Sequence, residues 1–147
     1  MKLPNIVYIH SHDTGRYVQP YGHAVDTPNI QRLAEQGVLF RQAFCASPSC
    51  SASRTALLTG QSPQSAGMIG LAHRGFKLND PSQHLATTLK KAGYRTVLMG
   101  LQHVIREEGI PSLGYDEQPR GKRPFNEIPA VVADWLDKRE GDQPFFL

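Results

Sequence analysis

Short apolar runs and 3.6-residue apolar stripes alternate along the chain. NIVYIH (5–10) is a continuous apolar run, the pattern of a strand buried on both faces. A polar, glycine-bearing loop over 12–26 follows. Thr27 and Pro28 then predict a helix start, with Thr as N-cap and Pro in the first turn, where its missing N–H costs nothing. Ile30, Leu33 and Ala34 form that helix's stripe and Gly37 ends it. VLFRQAF (38–44) reads as a second strand and 45–49 as a loop. A helix is predicted from Ser51 to Thr59, with Ala56, Leu57 and Leu58 inward and Gly60 as its stop. Residues 61–80 read as loop. Pro81 and Ser82 open a helix carrying Leu85, Leu89 and Ala92, stopped by Gly93. YRTVLMG (94–100) is a strand and 103–124 a long connection. Pro129 to Lys138 is a helix with Val131, Val132, Trp135 and Leu136, and PFFL (144–147) begins another buried strand.

Strands alternating with helices predict an α/β fold with a largely parallel sheet flanked by helices. Ligands of such sheets bind beyond the carboxyl ends of the strands. Three polar clusters fall there: His12–Asp13, Cys50–Arg54 and His103. Of the two cysteines, Cys45 ends an apolar run and is expected to pack as a small core residue. His10 is expected to be a core histidine of the first strand.

Composition narrows the class. With 147 residues, 39% hydrophobic and 20% charged, the chain reads as globular. A net charge of +3 and a pI near 9.0 suit an anionic ligand but do not argue for nucleic acid. The densest basic group, PRGKRP (119–124), is expected to be a solvated loop. No stretch approaches the ~20 apolar residues of a membrane span, and the apolar stretch before His10 is too short for a signal peptide. The expectation is a cytoplasmic protein without membrane or nucleic-acid partners, a periplasmic or secreted precursor being the alternative.

Cys50 stands at the predicted amino end of a helix, where unpaired N–H groups and the helix dipole favour anions. Arg54, one turn along, adds a planar cation that fits tetrahedral oxyanions such as sulfate or phosphate. His12, Asp13 and His103 offer metal ligands, proton-transfer groups, or both. The residues alone imply a nucleophile beside an anion pocket with metal assistance, and do not name the reaction.

The order PNIVYIH…DTG, DTPNIQRLAEQGVLFRQAF, CSASRTALLTG and GYRTVLMGLQH resembles the amino-terminal part of type I sulfatases, of the alkaline-phosphatase-like superfamily. With GMIGLAHRGF (67–76), the layout is most similar to the bacterial and heparan N-sulfatase (sulfamidase) branch. Cys50-Ser51-Ala52-Ser53-Arg54 fits the family's Cys-x-(Pro/Ala)-x-Arg signature. The resemblance implies that 1–147 is the amino-terminal portion of a sulfatase catalytic domain, incomplete at its carboxyl end. It further implies oxidation of Cys50 to formylglycine by a formylglycine-generating enzyme. The hydrated aldehyde would attack sulfur and later collapse to expel sulfate. A divalent metal would assist, calcium first with magnesium or zinc as alternatives, held by Asp13, His12 and residue 50. Arg54 and His103 would serve catalysis, His73 and Arg74 would contact substrate, and the substrate would be a sulfated carbohydrate.

Two departures stand out. The family commonly has Asp-Asp where this chain has His12-Asp13, and a lysine where it has Leu101. The family's later metal ligands lie beyond these 147 residues, so the chain alone is expected to lack turnover. Three rival readings remain: a phosphate or phosphonate ester hydrolase of the same superfamily, a non-catalytic truncated sulfatase-like protein, and a zinc hydrolase built on His10-x-His12-Asp13.

Overall fold

Two short strands, β1 (Arg95–Thr96) and β2 (Phe145–Phe146), pair in parallel, Arg95 opposite Phe145 and Thr96 opposite Phe146. They appear in a computed structural model of the chain that describes residues 2–119 and 124–147. Parallel bridges extend the ladder on both sides, from Ile6 to Phe146 and from Val97 to Glu117. The spatial order is therefore the Ile6 segment, β2, β1, then the Glu117 segment. Ile6 N donates to Phe145 O at 2.8 Å and Leu147 N to Ile6 O at 2.9 Å. The expected α/β character and parallel pairing hold, though the ladder is short.

Four α-helices accompany it among the described residues: α1 (Pro28–Gln36), α2 (Cys50–Thr59), α3 (Leu85–Lys91) and α4 (Ile128–Lys138). None is long and apolar enough to cross a membrane. Contacts divide the chain into two units, Met1–Tyr8 with Cys45–Leu147, and Ile9–Phe44.

In the larger unit, α4 buries Val131 and Trp135, and Trp135 packs against Val97 and Phe145 of the ladder. The Trp135 ring meets Phe145 edge-on at 5.3 Å, and Arg95 lies over the indole. Leu58, Ala66, Leu78, Val104 and Leu113 form a second cluster, joining α2 to the loops around it. The connection after His103 is more ordered than its composition implies. It contains a 3-10 helix, Glu107–Leu113, that buries Ile110 and Leu113. Asp116 then accepts hydrogen bonds from Thr96 N and Oγ1, both at 2.9 Å, and Glu117 accepts from Trp135 Nε1 at 2.9 Å and pairs with Arg95. Burial pushes the Asp116 carboxyl up, but the bonds from Lys90 and Thr96 outweigh it and hold it below the usual range.

Several expectations need correction. Residues 5–10 are not a doubly buried strand: only Ile6 bridges, Ile9 is 85% exposed, and His10 is exposed rather than core. Ile6 has a single ladder neighbour, Phe146. Residues 38–44 form no strand, because no described segment pairs with them; Phe40 and Phe44 are exposed. Cys45, at the end of that run, is exposed too. Leu57 points outward while Ala56 and Leu58 are buried. The helix expected from Pro81 breaks at His84 into a 3-10 turn, Pro81–Gln83, and α3, where Ala86 rather than Leu85 is buried. Of the basic group at 119–124, residues 120–123 lie outside the described residues.

The smaller unit holds α1 and a 3-10 turn, Gln19–Tyr21. Thr27 occupies the N-cap position as expected, but its hydroxyl accepts from Gln19 N at 3.0 Å instead of capping the helix. The α1 residues Ile30 and Leu33 are exposed, so the predicted stripe is not buried.

Candidate active site

Helix α2 begins at Cys50 and ends at Thr59, capped by Gly60, whose φ of +68° provides the left-handed turn and whose N–H donates to Ala56 O. Ala52 packs with Met68 and Ala72 on one side, and Leu58 with Ala66, Leu78, Val104 and Leu113 on another, seating the helix in the core. That seating fixes both ends of the Cys50–Arg54 signature, since positions four apart share a helix face.

At the amino end, Ser49 takes the N-cap position without a capping bond, and its hydroxyl is buried with no hydrogen-bond partner. Arg54 is 9% exposed, and its Nε likewise lacks a partner. A buried, unmatched guanidinium N–H is costly, so this arrangement is one that an anion would complete. The arginine's charge extends to Tyr8, whose phenol burial pushes up and Arg54 pulls the other way.

His103 comes to the same helix end from the loop after β1. Its Nδ1 lies 3.8 Å from Cys50 Sγ. The turn is clamped by Gln102, whose Oε1 accepts from Val104 N at 2.7 Å and Ile105 N at 3.0 Å, while its Nε2 donates to Ile105 O at 2.6 Å. Val104 is fully buried and anchors the loop in the core. Ser51, the residue after Cys50, accepts from Ala72 N at 3.1 Å and so fixes the 3-10 turn Ala72–Arg74 against α2.

A cavity of about 620 Å³ opens beside this group, lined by His73, Leu101, His103, Arg106, Glu107 and Glu108 among others. Within the larger unit the structure thus brings together Cys50, Arg54 and His103, with His73 on the cavity wall. Arg74 is exposed and is not part of that lining. His12 and Asp13 belong to the smaller unit, where His12 Nδ1 faces Asp13 Oδ2 at 2.8 Å and the Asp13 backbone has φ +56°.

Arg106, Glu107 and Glu108 escape the sequence reading, which places them in a long connection. Three consecutive charges three residues after His103 are the signal that could have found them.

A family model described as Sulfatase matches residues 4–147. The chain is 36% identical over 131 residues to the N-sulphoglucosamine sulphohydrolase of Homo sapiens, covering 84% of this chain and 26% of that protein. It is 36% identical over 111 residues to an arylsulfatase of Klebsiella aerogenes, covering 69% and 24% respectively. It is 35% identical over 144 residues to the N-acetylgalactosamine-6-sulfatase of Sus scrofa, covering 84% and 27%. The chain therefore spans about a quarter of the length of these curated relatives. With the family model matched from residue 4 to residue 147, and Cys50 and Arg54 one turn apart on a buried helix, the chain belongs to the sulfatase family.

Proposed function

We propose that the full-length product of the gene encoding these residues is a sulfuric ester hydrolase acting on a sulfated carbohydrate, with Cys50 converted to formylglycine by a formylglycine-generating enzyme. The observation that carries the reading is the end of α2: Cys50 opens the helix, contacts His103, and lies one turn from a buried Arg54 with an unmatched Nε.

These residues fit the modification and the metal that the family implies. Half-buried Cys50 follows Ser49, whose hydroxyl is unmatched, and lies one helical turn before Arg54, whose Nε is unmatched too. For the metal, calcium is the first choice, because the Asp13 carboxylate is a hard oxygen donor. His12 sits against one of that carboxylate's oxygens and would orient it for binding. Hydrated, the aldehyde would supply a nucleophilic hydroxyl, and a bound metal would supply a Lewis acid for the sulfate oxygens.

The chain's own residues do the rest. Arg54 stabilises negative charge gathering at the helix end. His103 stands where a proton can pass to or from residue 50, and the Gln102 clamp holds the backbone that follows it. The neighbouring cavity is large enough for a sugar ring, and His73 on its wall contacts the sulfated sugar. A sulfated carbohydrate suits the names of the human and pig relatives, which refer to N-sulphoglucosamine and N-acetylgalactosamine-6-sulfate chemistry.

Intact mass and turnover test this together. The purified full-length protein should be about 18 Da lighter than its sequence, as thiol becomes aldehyde, and should hydrolyse a small aryl sulfate faster than the matching phosphate ester. Cys50→Ala should abolish turnover, and Arg54→Ala should lower it by about 10²–10³-fold. Full activity with an unmodified Cys50 would overturn the assignment.

A further inference from the structure

The cavity beside His103 has an exposed arginine, Arg106, on its wall. Arg106 forms no ion pair with any described residue, although Glu107 and Glu108 follow it directly. It is the one lysine or arginine in the cavity's lining among the described residues. Leu101, on the same wall, is apolar.

The backbone of Arg106 is held on both sides, while its side chain is exposed. Its carbonyl accepts from Gly109 N at 2.9 Å, at the start of a 3-10 helix that Ile110 and Leu113 bury in the core. On the upstream side, the Gln102 clamp closes on Ile105. Its Nη2 lies beside Gly75, 4.0 Å from where a β-carbon there would sit. The guanidinium thus reaches from the 3-10 helix Glu107–Leu113 to the end of the turn that carries His73.

We infer that Arg106 binds the sulfate group of the substrate in this cavity, supplying the positive charge that position 101 lacks. The inference rests on the sulfatase reading above. A guanidinium offers two parallel N–H donors that match two oxygens of a sulfate. Glu107 and Glu108 in the same lining disfavour a second anion, so the cavity takes a sugar carrying one sulfate with hydroxyl or ammonium groups elsewhere on the ring.

The test uses the full-length protein, with inorganic sulfate titrated by calorimetry and a small aryl sulfate as kinetic substrate. Arg106→Gln should weaken sulfate binding about tenfold or more, and should raise KM more than it lowers kcat. Adding Leu101→Lys to that variant should restore sulfate binding. Glu108→Gln, which leaves Arg106 in place, should tighten it, a change of opposite sign that a folding defect would not produce. Unchanged sulfate affinity in Arg106→Gln, or no sulfate binding by the wild type, overturns the inference. Failure of the sulfatase reading looks different: an unmodified Cys50 mass and no ester hydrolysis, whatever the sulfate titration gives.

Discussion

His103 places its Nδ1 3.8 Å from Cys50 Sγ while its own backbone stands at φ +58°. Among the described residues, only His103 and Asp13 combine a side chain other than glycine's with a positive φ. Both are candidate site residues. A left-handed backbone costs a residue with a β-carbon about 1 kcal/mol or more, and such strain gathers where a side chain must be aimed.

On the function proposed above, His103→Gly and His103→Ala in the full-length protein should both lose most sulfatase turnover. They should differ in stability, the glycine variant being about 1 kcal/mol more resistant to urea, because glycine takes φ +58° without strain. Equal unfolding midpoints would show that the turn is relaxed.

Gly114 and Gly141 separate two reasons for a glycine. Both have positive φ, +89° and +80°. A β-carbon on Gly114 would lie 2.8 Å from Thr87 N and Cα, whereas one on Gly141 meets nothing within 4 Å. Gly141→Ala should cost about 1 kcal/mol, the conformational term alone. Gly114→Ala adds a backbone clash beneath α3 and should cost about 3 kcal/mol. Comparable urea midpoints for the two variants would contradict the close approach of Gly114 to α3.

His84 makes stability depend on pH. It is fully buried, its Nδ1 accepts from Ala86 N at 3.1 Å, and its Nε2 has no partner. The Tyr115 ring packs against it edge-on at 5.4 Å. Burial lowers its pKa from 6.5 to about 4. Between those values the unfolded chain binds a proton that the folded chain refuses. The contribution is therefore complete above pH 6.5 and lost as pH falls towards 4, by on the order of 3 kcal/mol. His84→Gln keeps an acceptor for Ala86 N and should flatten urea-measured stability between pH 7 and 4.5. Asp116 and Glu117, held below the usual carboxylate range, lose their contribution only at lower pH. An equally steep fall in the variant would exclude His84 as the source.

The legible parts of the chain were those set by local chemistry. The Cys50–Arg54 spacing, the glycine stop at residue 60 and the apolar face with Ala56 place the signature on a helix before any tertiary contact is known. β1 and β2 lie within the predicted strands because β-rich segments there find each other as partners. Residues 38–44 have the same β-forming composition, but a strand requires a ladder, and no described segment provides one. Cys45 and His10 were misread for a related reason: burial depends on a covering layer, which periodicity does not reveal. Arg106 was invisible because its position depends on the Gln102 clamp and on Ile110 and Leu113 entering the core, contacts that a Gly/Pro-containing loop does not advertise.

The ladder also sets a clock. Ile6 pairs with Phe146, so one side of the sheet waits for the other until almost all of these residues have been synthesised. At ribosomal speed that is on the order of 10 s, whereas a short helix such as α2 forms in about a microsecond. For those seconds the Cys50 thiol travels on a nascent chain whose sheet has not yet closed.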